Sequence, residues 1–157
     1  MLLTSTNHFE LALHVVGYQY PDNADDKYDS NWLYVDVRLR NSHGIWRAII
    51  PHLLTWEVRH LAAWLRLLAD GQPVPERMGF IEPALVFALD RRDDQALTLW
   101  VWFWLKGRHR TWIEASDPTV RKIKVKLHLR KADLAIAAAS LLDELGQFPE
   151  RAGAPTA

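Results

Sequence analysis

The chain has 157 residues, 49% of them hydrophobic and 24% charged, a length and composition typical of one globular domain. It contains no cysteine, which excludes disulfides, thiolate catalysis and cysteine-ligated zinc. Nineteen basic and nineteen acidic residues cancel, which argues against a dedicated nucleic-acid-binding protein. The first residues have neither the basic nor the apolar region of a signal peptide, so a cytoplasmic location is expected.

The first half of the sequence predicts three strands and a helix. Residues 8–16 and 32–40 alternate between apolar and polar side chains, the pattern of strands with one buried face. A third strand over residues 45–50 is expected to end at Pro51, because proline has no N–H to donate to a ladder. Thr55 is the predicted N-cap of a helix whose apolar residues recur at helical spacing: Val58, Leu61, Ala62, Leu65 and Leu68.

The second half predicts three more strands and a second helix. The strands are expected over residues 79–89, 96–106 and 122–130, and the middle one is apolar on both faces, as in a central strand. Residues 106–119 are predicted to form a long polar loop. A helix over residues 131–145 is predicted from its apolar face: Leu134, Ala138, Leu141, Leu142 and Leu145.

These elements predict a single α+β domain over residues 1–150, followed by a disordered tail over residues 151–157. The order is β-β-β-α-β-β-β-α, with about six strands. Because most connections are short, the strands are expected to pair mainly antiparallel, with both helices packed on one sheet face.

An acidic loop is predicted between the first two strands, over residues 18–30. Residues 1–37 carry six acids and one base, whereas residues 106–131 carry nine bases and two acids, so the surface is expected to be dipolar. The loop could be a solvated segment or an acidic surface for a basic protein partner. A calcium site is a third reading, although the EF-hand spacing is absent.

Aromatic residues alternate on several predicted strands. If they share one side of a sheet, they either pack as a second core layer or line a surface for a partner or an apolar ligand. The outward residues of 122–130 form a basic stripe, which fits either a solvated sheet face or a phosphate contact. The aromatic residues concerned are Trp32, Tyr34, Trp46, Trp100, Trp102 and Trp104.

No catalytic residue, metal site or cofactor site is predicted. The histidines and the acid of the first strand, at positions 8, 10 and 14, are spaced by about 6.8 and 13 Å along a strand, too far to share one ion. No hydrolase, zinc-protease, phosphate-loop or dinucleotide motif is present. Glu57 and His60 are expected to form a helix-surface pair, whereas Glu82 is expected to be buried and to accept bonds from backbone donors.

A series of short motifs in a fixed order resembles the WapI-type immunity protein family of bacteria over nearly the whole chain. Residues 106–117 do not match the family pattern. The motifs are TyrGlnTyrPro (18–21), AspSerAsnTrpLeu (29–33), Trp46 followed by Pro51, LeuLeuThrTrpGlu (53–57), PheIleGluProAlaLeuValPhe (80–87) and PheProGluArg (148–151).

The resemblance implies a small, non-enzymatic cytoplasmic protein that neutralises a toxin domain delivered by neighbouring cells, in the best-known case a nuclease acting on tRNA. It carries over no catalytic residues and does not fix the contact residues. If the toxin has a basic cleft, the expected contacts are Asp22, Asp25, Asp26, Asp29 and Trp32. The alternative function is a small-ligand-binding domain that uses a tryptophan-lined sheet face.

Overall fold

The computed structural model describes residues 1–23, 26–104, 112–115 and 122–151, and residues 112–115 by their backbone alone. Within these ranges the chain forms two antiparallel β-sheets and two α-helices, which confirms the predicted α+β class. The predicted number of about six strands is too low, because the sheets contain five and four strands.

The first sheet has the order β1-β2-β3-β4-β8, with every neighbouring pair antiparallel. A short 3₁₀ helix, Asp29–Asn31, leads into its central strand β3. The strands are β1 (Leu2–Thr4), β2 (Glu10–Tyr18), β3 (Trp32–Asn41), β4 (Gly44–Leu54) and β8 (Trp112–Ala115).

The second sheet has the order β5-β6-β7-β9, again antiparallel throughout. The apolar segment near residue 100 forms β7, a central strand as predicted. The strands are β5 (Arg77–Gly79), β6 (Leu85–Arg92), β7 (Ala96–Trp104) and β9 (Lys122–Arg130).

The additional strands β1, β5 and β8 are three or four residues long, too short for alternation to reveal them in the sequence. Strand β8 lies inside the predicted loop 106–119, whose other residues lie outside the described ranges. The expected stop at Pro51 is wrong, because β4 continues to Leu54. The pairing shifts register between Leu33 and Tyr34, and Pro51 lies opposite Tyr34 at this irregularity, where a missing N–H is tolerated.

One hydrophobic core fills the space between the two sheets. The predicted inward residues of both sheets are buried in it, for example Leu13, Val35, Leu99 and Leu127. The rings of Trp46 from the first sheet and Phe103 from the second meet edge to face, with centroids 4.9 Å apart. The apolar alternation therefore identified the correct inner face of β2, β3, β7 and β9, although it did not indicate two sheets. It was wrong for β4, where Trp46 faces the core and Ile45 is 36% exposed.

The helices are α1 (Thr55–Ala69) and α2 (Lys131–Gly146). They pack against each other and contact both sheets, α2 against β1, β2 and β9, and α1 against β4. From α1, Trp64 also reaches Phe87 of β6. Two details of the prediction are wrong: Leu54 occupies the cap position expected for Thr55, and Leu142 is 48% exposed. Leu142 lies outside the stripe of buried residues spaced four, three and four apart in α2.

The segment after β1 covers part of the outer edge of β9. The Thr6 N–H donates to the carbonyl of His128 at 3.0 Å, and the Asn7 side-chain amide donates to the carbonyl of Lys126 at 2.8 Å. The His128 N–H in turn donates to the Ser5 hydroxyl oxygen at 2.7 Å. These bonds join the two sheets at one side of the core. Among the described helices, none is long and apolar enough to cross a membrane.

Candidate partner-binding surface

The acidic loop between β2 and β3 is organised by one of its own aspartates. Asp26 accepts hydrogen bonds at 2.8 Å from the backbone N–H groups of Tyr28 and Asp29, which fixes the turn into the 3₁₀ helix. Asp22 and Asp29 are exposed, and their carboxylates make no hydrogen bond within the described part of the chain. Asp25 lies outside the described residues. Two of the four predicted aspartates thus present unpaired charge, and Asp26 shapes the loop.

Arg151, the residue at which the predicted tail begins, is bonded to this loop. Its guanidinium donates to the backbone carbonyls of Tyr20, Pro21 and Asn23 at 3.2, 2.9 and 3.3 Å. The same group lies 3.5 Å above the ring centroid of Tyr18. One guanidinium nitrogen, Nη1, therefore bonds to three carbonyls of the loop and ties the C-terminal segment to it.

Asn31 is fully buried beneath the loop and joins it to the rest of the protein. Its amide nitrogen donates to the carbonyl of Lys27 at 2.9 Å. Its side-chain oxygen accepts from the Thr55 hydroxyl and from the Arg151 N–H, each at 2.9 Å. One side chain thus connects the loop, the start of α1 and the C-terminal segment.

Glu57 makes a second connection at the same end of the molecule. Its carboxylate accepts from the N–H of Leu54 at 3.0 Å and from the N–H of Ile81 at 2.7 Å. Burial raises the pKa of the Glu57 carboxyl, although both hydrogen bonds oppose the shift. The sequence assigned this role to Glu82, which is wrong: Glu82 is half-buried and Glu57 is only 6% exposed.

A cleft of about 170 Å³ opens beside the loop. This volume is below the roughly 300–1,000 Å³ of a typical small-molecule pocket. Nearby, Tyr28 and Trp56 pack edge to face, with ring centroids 5.8 Å apart. The cleft and the loop together form what we call the acidic end, made of Asp22, Asp26, Asp29 and the cleft residues Gln19, Tyr20, Trp32, Pro51 and Glu82.

The aromatic residues of the strands do not share one side of a sheet. Trp46 is 6% exposed and packs into the core between the sheets. Trp32 is half-buried beside the cleft. The three tryptophans of β7 lie on the outer face of the other sheet, half-buried. The continuous tryptophan surface considered for a small ligand is therefore divided among three places.

The described residues contain no group of three or more histidine, aspartate or glutamate side chains that could hold a metal ion. The first-strand residues considered for a metal have other neighbours. His14 lies 3.0 Å from the carboxylate of Glu144 in α2, and the carboxylate of Glu10 lies 3.8 Å from Arg40.

The model of the WapI-like immunity protein family matches residues 1–149. The chain belongs to this family. No curated protein and no solved structure matches it. The match supports the resemblance that the ordered motifs indicated, and it covers both sheets and both helices.

The motifs that carry the family resemblance meet at the acidic end. Asn31 comes from AspSerAsnTrpLeu, Glu57 from LeuLeuThrTrpGlu, and Ile81 from PheIleGluProAlaLeuValPhe. Arg151 comes from PheProGluArg and bonds to the loop that contains TyrGlnTyrPro. Sequence analysis missed the roles of Asn31, Glu57 and Arg151, and the available signal was their presence inside these motifs.

Proposed function

We propose that this family member neutralises a cognate toxin domain by binding it stoichiometrically in the cytoplasm, without catalysis. Membership of the WapI-like immunity protein family supports the class of function. We choose the acidic end as the binding surface because of one observation. Separate motifs of the sequence meet beneath one loop, through the hydrogen bonds of Asn31 and Arg151. Hydrogen bonds beneath the loop hold its charged side chains in one arrangement, as a surface that recognises a partner requires.

The fixed loop is suited to fast and specific binding. Ordering a loop upon association costs free energy, so a loop already held in place binds more tightly than a mobile one with the same side chains. The exposed carboxylates of Asp22 and Asp29 fit a partner with a basic surface, such as a nuclease cleft, and opposite charge speeds the encounter. Trp32 is the aromatic side chain best placed to supply contact energy at the centre.

The test co-expresses this protein with any toxin domain found to be encoded immediately upstream of it, and measures cell growth and the affinity of the purified pair. We expect wild-type protein to restore growth and to bind the toxin one to one. Trp32→Ala and the double charge reversal Asp22→Lys/Asp29→Lys should each weaken binding about 30-fold or more, since interface anchors contribute about 2 kcal/mol. The charge reversal should mainly slow association.

Matched controls distinguish this surface from others. Asp143→Lys reverses an exposed charge on α2, and Trp104→Ala removes a half-buried tryptophan from the second sheet. Both should leave rescue and affinity unchanged. If the toxin domain kills cells equally well with and without this protein, the proposed function is wrong. Rescue that survives the loop variants but fails with Trp104→Ala would place the toxin contact elsewhere.

A further inference from the structure

The outer face of the second sheet presents aromatic rings and ammonium groups in register. Each outward tryptophan of β7 lies directly opposite a lysine of β9. Arg77 of β5 joins them, with its guanidinium 5.7 Å from the ring centroid of Trp102. We call this surface the tryptophan–lysine face, which consists of Arg77 and the pairs Trp100–Lys126, Trp102–Lys124 and Trp104–Lys122.

The ammonium groups lie above the rings. The Nζ atom of Lys124 is 4.3 Å from the ring centroid of Trp100 and 5.2 Å from that of Trp102. The Nζ atom of Lys126 is 4.8 Å from Trp100. Such exposed cation–π contacts are weak, so a lysine can leave its ring for an anion and uncover the flat surface beneath.

The face has a surplus of positive charge although the whole chain is neutral. The carboxylate of Asp90 pairs with Lys126 at 2.9 Å and accepts from the Trp100 indole N–H at 3.3 Å. In the described part of the chain, Arg77, Lys122 and Lys124 have no carboxylate within ion-pair distance. The zero net charge is thus the sum of an acidic and a basic region of the surface, and a ligand at this face meets the basic region.

We propose that the tryptophan–lysine face binds single-stranded nucleic acid, with bases stacked on the tryptophans and phosphates paired with the lysines. Side chains on one face of a strand recur about every 6.8 Å, and each repeat here offers one ring and one cation. Each nucleotide likewise offers one base and one phosphate. Aromatic residues combined with a row of cations are the usual means of holding a single strand without sequence preference.

Two other anionic partners fit the face less well. An acidic peptide would use the cations, but carboxylate side chains have no planar surface to place against the tryptophans. A nucleic-acid duplex keeps its bases inside the stack, where these rings do not reach. The tryptophan–lysine face shares no residue with the acidic end, so nucleic-acid binding and toxin binding can be tested separately.

The test titrates the full-length protein with a fluorescein-labelled oligouridine RNA of about 12 nucleotides, a length within the range of known single-strand sites. Oligothymidine DNA of the same length forms a second arm. Fluorescence anisotropy reports binding, and quenching of tryptophan emission reports stacking. We expect affinity to fall with salt at a log–log slope of about −2, from roughly −0.7 for each of the cations Arg77, Lys122 and Lys124.

Variants identify the surface that binds. Trp102→Ala should lower affinity about 10-fold, and Lys124→Ala should weaken binding and make the salt slope shallower by about 0.7. Lys27→Ala is the matched control, because the Lys27 ammonium also lies over a ring, that of Tyr28 at 5.3 Å, but on the acidic loop. It should bind like wild type. Thermal unfolding of each variant shows that the comparison is between folded proteins.

Several results would overturn the inference. They are no binding of either oligonucleotide at low salt, equal binding by wild type and Trp102→Ala, or duplex RNA bound as tightly as the single strand. Tighter binding of a polyglutamate peptide, weakened by the same variants, would assign the face to an acidic protein instead. A preference between the RNA and DNA arms identifies which single strand the face recognises.

Discussion

The acidic end and the tryptophan–lysine face hold their side chains in different ways. The acidic loop has no strand ladder, and its shape depends on side chains that bond to backbone groups, above all the buried Asn31 and the half-buried Arg151. On the tryptophan–lysine face the ladder between β7 and β9 fixes the backbone, and the side chains lie on top of it. Substitutions beneath the acidic loop should therefore change stability and shape together, whereas substitutions on the face should change ligand binding with little effect on stability.

The largest loss of stability that we expect from this contrast follows substitution of Asn31. Asn31→Ala removes the acceptor for Thr55 and Arg151 and the donor to Lys27, and it leaves these groups unpaired inside the protein. We expect the free energy of unfolding to fall by about 3 kcal/mol, because each unsatisfied buried group costs about 1–3 kcal/mol. Urea unfolding measures the change.

Asn7→Ala is the control for this prediction. Asn7 is exposed and donates to one carbonyl of β9, so its loss should cost about 0.5 kcal/mol. If both asparagine variants have the same small effect, the acidic loop does not depend on buried bonds and the contrast between the two regions fails.

The next effect concerns pH and a histidine that is buried where the two sheets meet. His52 is 1% exposed, with its ring centroid 6.3 Å from Phe80 and 5.9 Å from Phe103. Its Nε2 atom has no partner within the described residues, and burial lowers the pKa of His52 from 6.5 to about 4. The unfolded chain therefore binds a proton near pH 6.5 that the folded protein does not bind until about pH 4.

The contribution of neutral His52 to the free energy of unfolding is fully present above pH 6.5 and is lost as the pH falls towards 4. The loss should amount to about 3 kcal/mol, because one pKa unit corresponds to about 1.4 kcal/mol. Urea unfolding across this pH range measures it. His52→Phe should remove most of the slope, and His43→Phe, at an exposed position, should leave it unchanged. An equal slope in wild type and His52→Phe would contradict the assignment.

A smaller effect is expected at Glu57, which joins α1 to the segment after β5. Glu57→Gln replaces one carboxylate oxygen by a donor that faces a backbone N–H, so unfolding free energy should fall by about 2 kcal/mol. Because the pKa of Glu57 is raised by burial, its contribution favours the folded state at low pH and declines as the pH rises through the folded-state pKa. Glu76→Gln, at an exposed position, is the control and should stay within about 0.5 kcal/mol.

The smallest effect on stability is expected on the tryptophan–lysine face. Lys124→Ala removes two exposed cation–π contacts and should lower the free energy of unfolding by at most about 1 kcal/mol. The same variant should have a clear effect on oligonucleotide binding. Urea unfolding and titration of the same sample measure both quantities. A large loss of stability would show that this face serves folding rather than binding.

Local patterns were sufficient to predict much of the fold. The alternation in β2, β3, β7 and β9 and the helical stripes of α1 and α2 extend over nine residues or more, and each places the correct side in the core. The division into two sheets was not predictable, because it depends on strands that pair far apart in sequence, such as β4 with β8. Pro51 was misjudged because it lies next to a bulge in its own strand, β4, where the regular ladder is interrupted and a missing N–H is tolerated.

The candidate surface was predictable only in part. Charge and composition indicated the acidic loop, and its role in binding stays a prediction. The residues that hold the loop were missed because their partners are distant: Arg151 and Asn31 are 120 positions apart. Their side chains are common surface types, so no local pattern shows that they hold the loop. His52 escaped notice for the same reason, since its burial depends on two sheets meeting.

The short segment from Ser5 to Asn7 affects how readily this protein aggregates at high concentration. Sheet proteins polymerise most readily when an unpaired strand edge accepts another chain, as in amyloid growth. Here the backbone groups of His128 and the carbonyl of Lys126 are already occupied by the protein's own N-terminal segment. The three tryptophans therefore lie on a solvent-facing sheet whose edge strand, β9, cannot pair with another chain at His128 and Lys126.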